Sequence, residues 1–170
     1  MARVEGMEQD LINRLIEQWR TIRPDLNPAA MRTSGRLLRI AKLVERRTER
    51  LLQQYDLSLW QFDVLATLRR HGCDLCPGEL LKATLLTSGA MTHRLDRLEK
   101  DGLIERVPDP RDRRGVRVFL TETGCELVDR VIETRFADAT QIESCLSPNE
   151  AEVLSDLLQK LEANLTTERV

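Results

Sequence analysis

The stretch from Ser58 to Leu120 limits the fold most, because helical signals and extended signals follow one another there at short, punctuated intervals. Ser58 stands three residues before Gln61, a capping-box spacing that opens a helix, and Gly72 supplies its end. The intervening residues are apolar around much of the helix circumference, which predicts burial. Pro77 opens a short helix carrying Leu80, Leu81, Leu85 and Leu86. Thr87 or Ser88 caps the next helix, which closes at Gly102. Two helices joined by a tight turn are a helix-turn-helix candidate. Two extended runs follow, Leu103–Val107 and Val116–Leu120, separated by the polar loop PDPRDRRG. That pattern predicts a β-hairpin projecting behind the paired helices, a wing.

The remaining segments read as helices without chemistry of their own. Leu11, Ile12, Leu15, Ile16, Trp19 and Ile22 recur at helical spacing from about Glu8 until Pro24 breaks the pattern. A long helix is expected from Ser34 to Tyr55, where Leu37, Ala41, Val44, Thr48 and Leu51 form a continuous stripe. After Thr121 a helix carries Leu127, Val128, Val131, Ile132 and Phe136. A last one starts at the Ser147 to Glu150 capping box, with Leu154, Leu157, Leu158 and Leu161 on one face. The predicted organisation is therefore 1–57 for N-terminal helices, 58–120 for the helix-turn-helix and hairpin, and 121–170 for C-terminal helices. The terminal helices are expected to bury their stripes against a second copy of the chain, making an intertwined helical homodimer.

The net charge of −2 hides a strong division. Residues 1–31 hold 4 basic against 5 acidic side chains, residues 32–120 hold 18 against 12, and residues 121–170 hold 4 against 11. A basic middle and an acidic tail suit a chain of which only one part faces a polyanion. No apolar run is long enough to span a bilayer and the first residues lack a secretory layout, so the expectation is a cytoplasmic protein with no membrane partner. In that reducing compartment Cys73, Cys76, Cys125 and Cys145 are expected as thiols.

On a helix from Ser88 to Lys100, Met91, Leu95 and Leu98 share one face and must turn to the core. The opposite face carries Gly89, His93, Asp96, Arg97 and Lys100, with Thr92 at its border and Thr87 and Ser88 at its leading end. Small residues there let backbone approach phosphate, while Thr, Ser, His and Arg offer hydrogen bonds to base edges in the major groove. Arg111, Arg113 and Arg114 crowd the hairpin loop, and an arginine at such a tip can enter a minor groove, with Arg113 the favoured one. Double-stranded DNA is thus the expected partner, and no metal or cofactor is expected.

The run TSGAMTHRLDRLEKDGLIERVPDPRDRRGVRVFLTETG resembles the recognition helix, wing and following helix of the MarR family of regulators. The resemblance implies a fold that is mainly α with a small β-wing, a winged helix-turn-helix. It also implies a homodimer on a palindromic operator, usually as a repressor, and no enzyme activity. The extra N-terminal helix together with CPGEL and TSGAM resembles the urate-responsive, PecS-like branch. That narrower likeness implies a small anionic aromatic or purine ligand, such as urate or xanthine, handled by Trp19, Asp63, Arg94 and Arg106. The residues agree in part: Arg94 lies on the core side of its helix, and Asp63 on an apolar helix requires a partner if it is buried and ionised, for which Arg94 is a candidate. An Asp63–Arg94 pair that only fixes the helix, with Trp19 as core or dimer packing, stays open as an alternative, as does a plain phosphate contact for Arg106.

Two other readings share the DNA-binding core. His71, Cys73 and Cys76 form H-x-C-x-x-C before Pro77, which admits a thiol-redox switch but lacks the ligands of a zinc site. A DNA-binding regulator without any ligand is the other. With His71 and His93 its only histidines and no nucleophile, metal or phosphate-loop motif, the chain does not read as an enzyme.

Overall fold

The structure, a computed structural model, describes residues 10–72, 74–84, 91–110, 112 and 115–167, and they divide into two units, Met1–Gln53 and Gln54–Val170. In the first unit, α1 (Leu11–Ile22) starts at Asp10, whose carboxylate accepts the N–H of Ile12 at 3.1 Å and pairs with Arg36. Ile12 and Ile16, one turn apart, are buried, and α1 packs on α2 (Met31–Leu52). Gly35 permits the approach, since a Cβ there would stand 3.1 Å from Ile12 Cδ1. The long helix begins three residues before the Ser34 expected from the stripe. A one-turn 3₁₀ segment (Pro28–Ala30), capped by Asn27 through the N–H of Ala29 at 3.0 Å, runs straight into it. Leu38, Ile40 and Leu43 of α2 remain exposed.

The second unit is built on α3 (Leu59–Arg70), opened by the reciprocal Ser58 and Gln61 cap with the Ser58 N–H on Gln61 Oε1 at 3.0 Å. Positive φ at Gly72 follows its end. Then come β1 (Asp74–Leu75), α4 (Pro77–Ala83), α5 (Met91–Lys100), β2 (Ile104–Pro108), β3 (Val116–Leu120), α6 (Glu122–Glu143) and α7 (Pro148–Thr167). The strands form an antiparallel sheet in the order β1-β3-β2, with Ile104 opposite Leu120 and Pro108 opposite Val116. The hairpin has the expected extent within a residue. The strand β1 has no period to betray it in sequence: it is two residues long, and Asp74 is fixed by Arg117 of β3 at 2.7 and 2.8 Å.

Val64, Leu65, Leu68, Leu80, Leu98, Ile104, Val118, Val128 and Val131 make the fully buried core. It joins α3, α4, α5, the sheet and the first half of α6. Each burial of such a side chain contributes about 1.5–3 kcal/mol. The end of α5 and the start of α6 are interlocked. Gly102, at positive φ, closes α5 with the Leu103 N–H on Leu98 O at 3.0 Å and its own N–H on Glu99 O at 3.0 Å. Thr121 donates its hydroxyl to Gly102 O at 2.7 Å and accepts from the Gly124 N–H at 3.0 Å. A Cβ at Gly124 would collide with the Leu103 carbonyl oxygen, so the LTETG segment reads as a packing requirement.

Candidate nucleic-acid interface

Helix α5 sorts its residues as the spacing demands. Met91, Leu95 and Leu98 are buried, while Thr92, His93, Arg97 and Lys100 are exposed. The His93 side chain is 90% exposed and that of Arg97 71%, so neither is committed to the fold. His93 Nδ1 lies 4.0 Å from Asp96, and Arg97 Nε lies 3.7 Å from Asp101, distances that leave both donors available to other acceptors. Thr87, Ser88 and Gly89, expected at the leading end, lie outside the described residues, as do Leu85 and Leu86.

Behind α5, the hairpin is anchored at both edges. Arg117 of β3 bridges Asp74 and reaches Asp109 at 3.7 Å; hydrogen bonding to Asp74, partly opposed by desolvation, raises its pKa above the ordinary arginine value. The loop closes through the Asp109 N–H on Gly115 O at 2.9 Å and the Gly115 N–H on Asp112 O at 2.8 Å. Gly115 is required by this crossing, because a Cβ would stand 3.0 Å from the Cβ atoms of Asp109 and Asp112. Asp112 also has a polar or electrostatic partner of its own, as Asp109 does. Arg111, Arg113 and Arg114 lie outside the described residues.

On the inner side, Arg94 is half-buried. Its guanidinium carbon sits 5.6 Å from the centre of the Trp60 ring, and its Nη1 is buried without a hydrogen-bond partner among the described residues. Asp63 on α3 is half-buried and is itself engaged by a partner. Trp60 escaped the sequence reading, yet it lies three residues before Asp63, one helical turn away on a neighbouring face of α3. Arg106, in β2, holds Asp96 Oδ1 at 2.8 Å through Nη1 and Glu99 Oε2 at 3.0 Å through Nε, with Nη2 on the same Glu99 oxygen. That bonding to Arg106 keeps Glu99 below the usual carboxylate range, against some desolvation. A ligand reaching Arg106 has to compete with both carboxylates. Trp19 belongs to the first unit, where it is 46% exposed at the end of α1.

Of the cysteine pair, Cys76 caps α4, with its N–H on Glu79 Oε2 at 3.0 Å, and Cys73 lies outside the described residues. His71 Nδ1 is 2.8 Å from the Thr67 carbonyl, which occupies the ring nitrogen of the H-x-C-x-x-C segment. Among the described residues no cluster of three or more metal-ligating side chains occurs, and no helix is long and apolar enough to cross a membrane.

A solvent-facing helix with free polar side chains, seated on a three-stranded sheet whose hairpin projects beside it, defines a winged-helix protein. The family model described as "MarR family" matches residues 57–116, the segment that holds α3 through the start of β3. The chain is 36% identical over 160 residues to the HTH-type transcriptional regulator PecS of Dickeya dadantii, covering 93% of this chain and 96% of that protein. It is 37% identical over 128 residues to the multiple antibiotic resistance protein MarR of Salmonella typhimurium, covering 72% and 88%. Among solved structures, a mutant MarR from E. coli complexed with operator DNA aligns with a TM-score of 0.63 and 31% identity, over 84% of this chain and 96% of that one. The chain belongs to the MarR family, and it is a winged-helix transcriptional regulator. The Dickeya relative is named as a transcriptional regulator, which agrees with the non-enzymatic reading of the sequence.

Proposed function

We propose that the protein acts as a homodimer that binds a palindromic operator and represses transcription until a small anionic aromatic or purine ligand releases it. The exposed row of Thr92, His93, Arg97 and Lys100 on α5, opposite a buried apolar row, carries the DNA-reading part. In this reading Thr92, His93 and Arg97 meet base edges or phosphates in the major groove, with Thr87, Ser88 and Gly89 at the helix entry. Arg113 enters the minor groove, and Arg111 and Arg114 hold phosphates beside it. The MarR relative that was crystallised with operator DNA supports this assignment by kinship.

The dimer is supported by apolar surface that one chain leaves uncovered. No residue of α7 is buried, and Val153, Leu154, Leu157, Leu158, Leu161 and Leu165 are all exposed along it. Two copies would also set two recognition helices at the spacing a palindrome requires.

The ligand part rests on Arg94. A buried guanidinium nitrogen without an acceptor is costly, and a planar anion laid along Trp60 would satisfy it with a charge-assisted hydrogen bond. Because Arg94 grows from the DNA-reading helix, an anion that binds better to a shifted position of α5 would weaken operator binding by linkage. Urate and xanthine fit this chemistry. Asp63 enters from α3, three residues after Trp60, Arg106 enters through its bonds to α5, and Trp19 enters on the family resemblance alone.

The test is a mobility shift on the DNA upstream of the protein's own gene, with and without urate or xanthine, for the parent and for Arg94→Ala. Release of the parent by ligand, with Arg94→Ala bound to DNA but unresponsive, supports the whole reading. DNA binding that no purine alters retains the winged-helix regulator and removes the ligand. A parallel titration with oxidant identifies a thiol switch through Cys73 and Cys76.

A further inference from the structure

We propose that Arg106 is a positioning residue for DNA reading: from the first strand of the wing it clasps Asp96 and Glu99 and so fixes the recognition helix against the hairpin. The inference rests on the reading of α5 as the helix that meets DNA. It concerns the residue's role when no ligand is bound.

Four donors of one residue converge on two side chains of one helix. Besides the guanidinium bonds already described, the Arg106 backbone N–H donates to Glu99 Oε1 at 3.1 Å. That N–H is available because β2 is the outer strand of the sheet, with β3 on its other side. Glu99 thus caps an open sheet edge while it bonds the arginine side chain. Asp96 and Glu99 are three residues apart, nearly one helical turn, so the fork of Arg106 spans a full turn of α5. Such a clasp resists both rotation of α5 about its axis and sliding along it. Rotation is the movement that would misdirect His93 and Arg97, which lie on the same turns.

Charge acts in the same direction. Asp96 and Glu99 are partly exposed on a helix that has to approach phosphates, and unpaired carboxylates there would repel them. The arginine removes part of that repulsion. Partly exposed ion pairs contribute little to folding, so removing the clasp should be felt in DNA reading and hardly in thermal stability.

The experiment measures binding of full-length protein to the DNA upstream of its own gene and to unrelated DNA of equal length, across a salt series, alongside thermal melts. For Arg106→Met we expect operator affinity to fall about 30-fold, unrelated DNA to change less than about threefold, and the salt slope to stay at the parent value. The melting midpoint should stay within about 2 °C. Adding Asp96→Asn and Glu99→Gln to Arg106→Met separates positioning from neutralisation. Affinity that stays low supports the clasp, and recovery to the parent value overturns it in favour of charge balance alone. Equal loss on both DNAs with a slope lower by about 1 overturns it in favour of a phosphate contact. Operator affinity within about twofold of the parent overturns it outright. Should Arg106→Met fail to fold, Arg106→Lys keeps the charge with a single arm and is expected to lose operator affinity by an intermediate factor; unchanged affinity there overturns the proposal. A parent that binds neither DNA overturns the reading of α5 as well, which sets that failure apart.

Discussion

Helices α6 and α7 are similar in length and both are amphipathic, yet their fates differ. The first half of α6 drives Val128 and Val131 to full burial in contact with the α3 side of the core, whereas α7 buries nothing, and Leu157 and Leu158 remain 52% and 39% exposed. Sequence pattern alone does not separate them, because a stripe states that a partner is needed and not which chain provides it. Helical stability in water comes mostly from packing such a face. The difference therefore marks α6 as an element of the winged-helix body and α7 as the element whose apolar face the proposed dimer would cover.

The largest effect should come from breaking the unpartnered side of that comparison. Leu157→Glu with Leu158→Glu is expected to convert the dimer to monomers in light scattering. Operator affinity should then fall about 1000-fold, because one recognition helix has to bind without the other. A dimer that survives both changes would place the interface elsewhere. On the partnered side, Leu98→Ala should cost about 2–5 kcal/mol in chemical unfolding, since its side chain is fully buried, while leaving the oligomeric state unchanged.

Smaller effects sharpen the account on the surface. Arg97→Ala should weaken operator binding by about 1–3 kcal/mol if it reads a base, and should reduce the salt slope by about 1 if it holds a phosphate. Either result fits a DNA-facing α5; no change in either quantity removes Arg97 from the interface. The smallest effect concerns pH. Glu99 titrates below its ordinary value because of Arg106, so its contribution to stability is present above the usual carboxylate range and fades as pH falls through the lowered value. The melting midpoints of the parent and Glu99→Gln should therefore differ slightly and constantly from pH 6 to 8, and should converge below pH of about 4. A difference that grows on acidification would contradict the assigned sign.

Much of the winged-helix body was legible because its signals are local. Ser58 with Gln61, Gly102 and Thr121 each fix a helix end through bonds within a few residues, Pro77 opens one through its fixed φ, and the structure places every one of them at that task. The strand β1 was not legible, since its formation depends on Arg117 more than forty residues away. Arg106 shows the same limit at the site. The family resemblance singles it out, but only the fold reveals that Asp96 and Glu99 already hold it. Trp60 lies within reach of the helical spacing, but nothing local distinguishes it from a core aromatic. For Thr87, Ser88, Gly89, Arg111, Arg113 and Arg114 the sequence expectation stands as a proposal.

The most direct test of the central claim is the affinity of the purified full-length protein for the DNA upstream of its own gene, measured by fluorescence anisotropy against unrelated DNA of equal length. The account predicts a complex of two chains per site, at least about 1000-fold tighter on the upstream DNA than on unrelated DNA at physiological salt. Equal affinity for the two DNAs with only a salt-dependent component, or no binding to either, would contradict it.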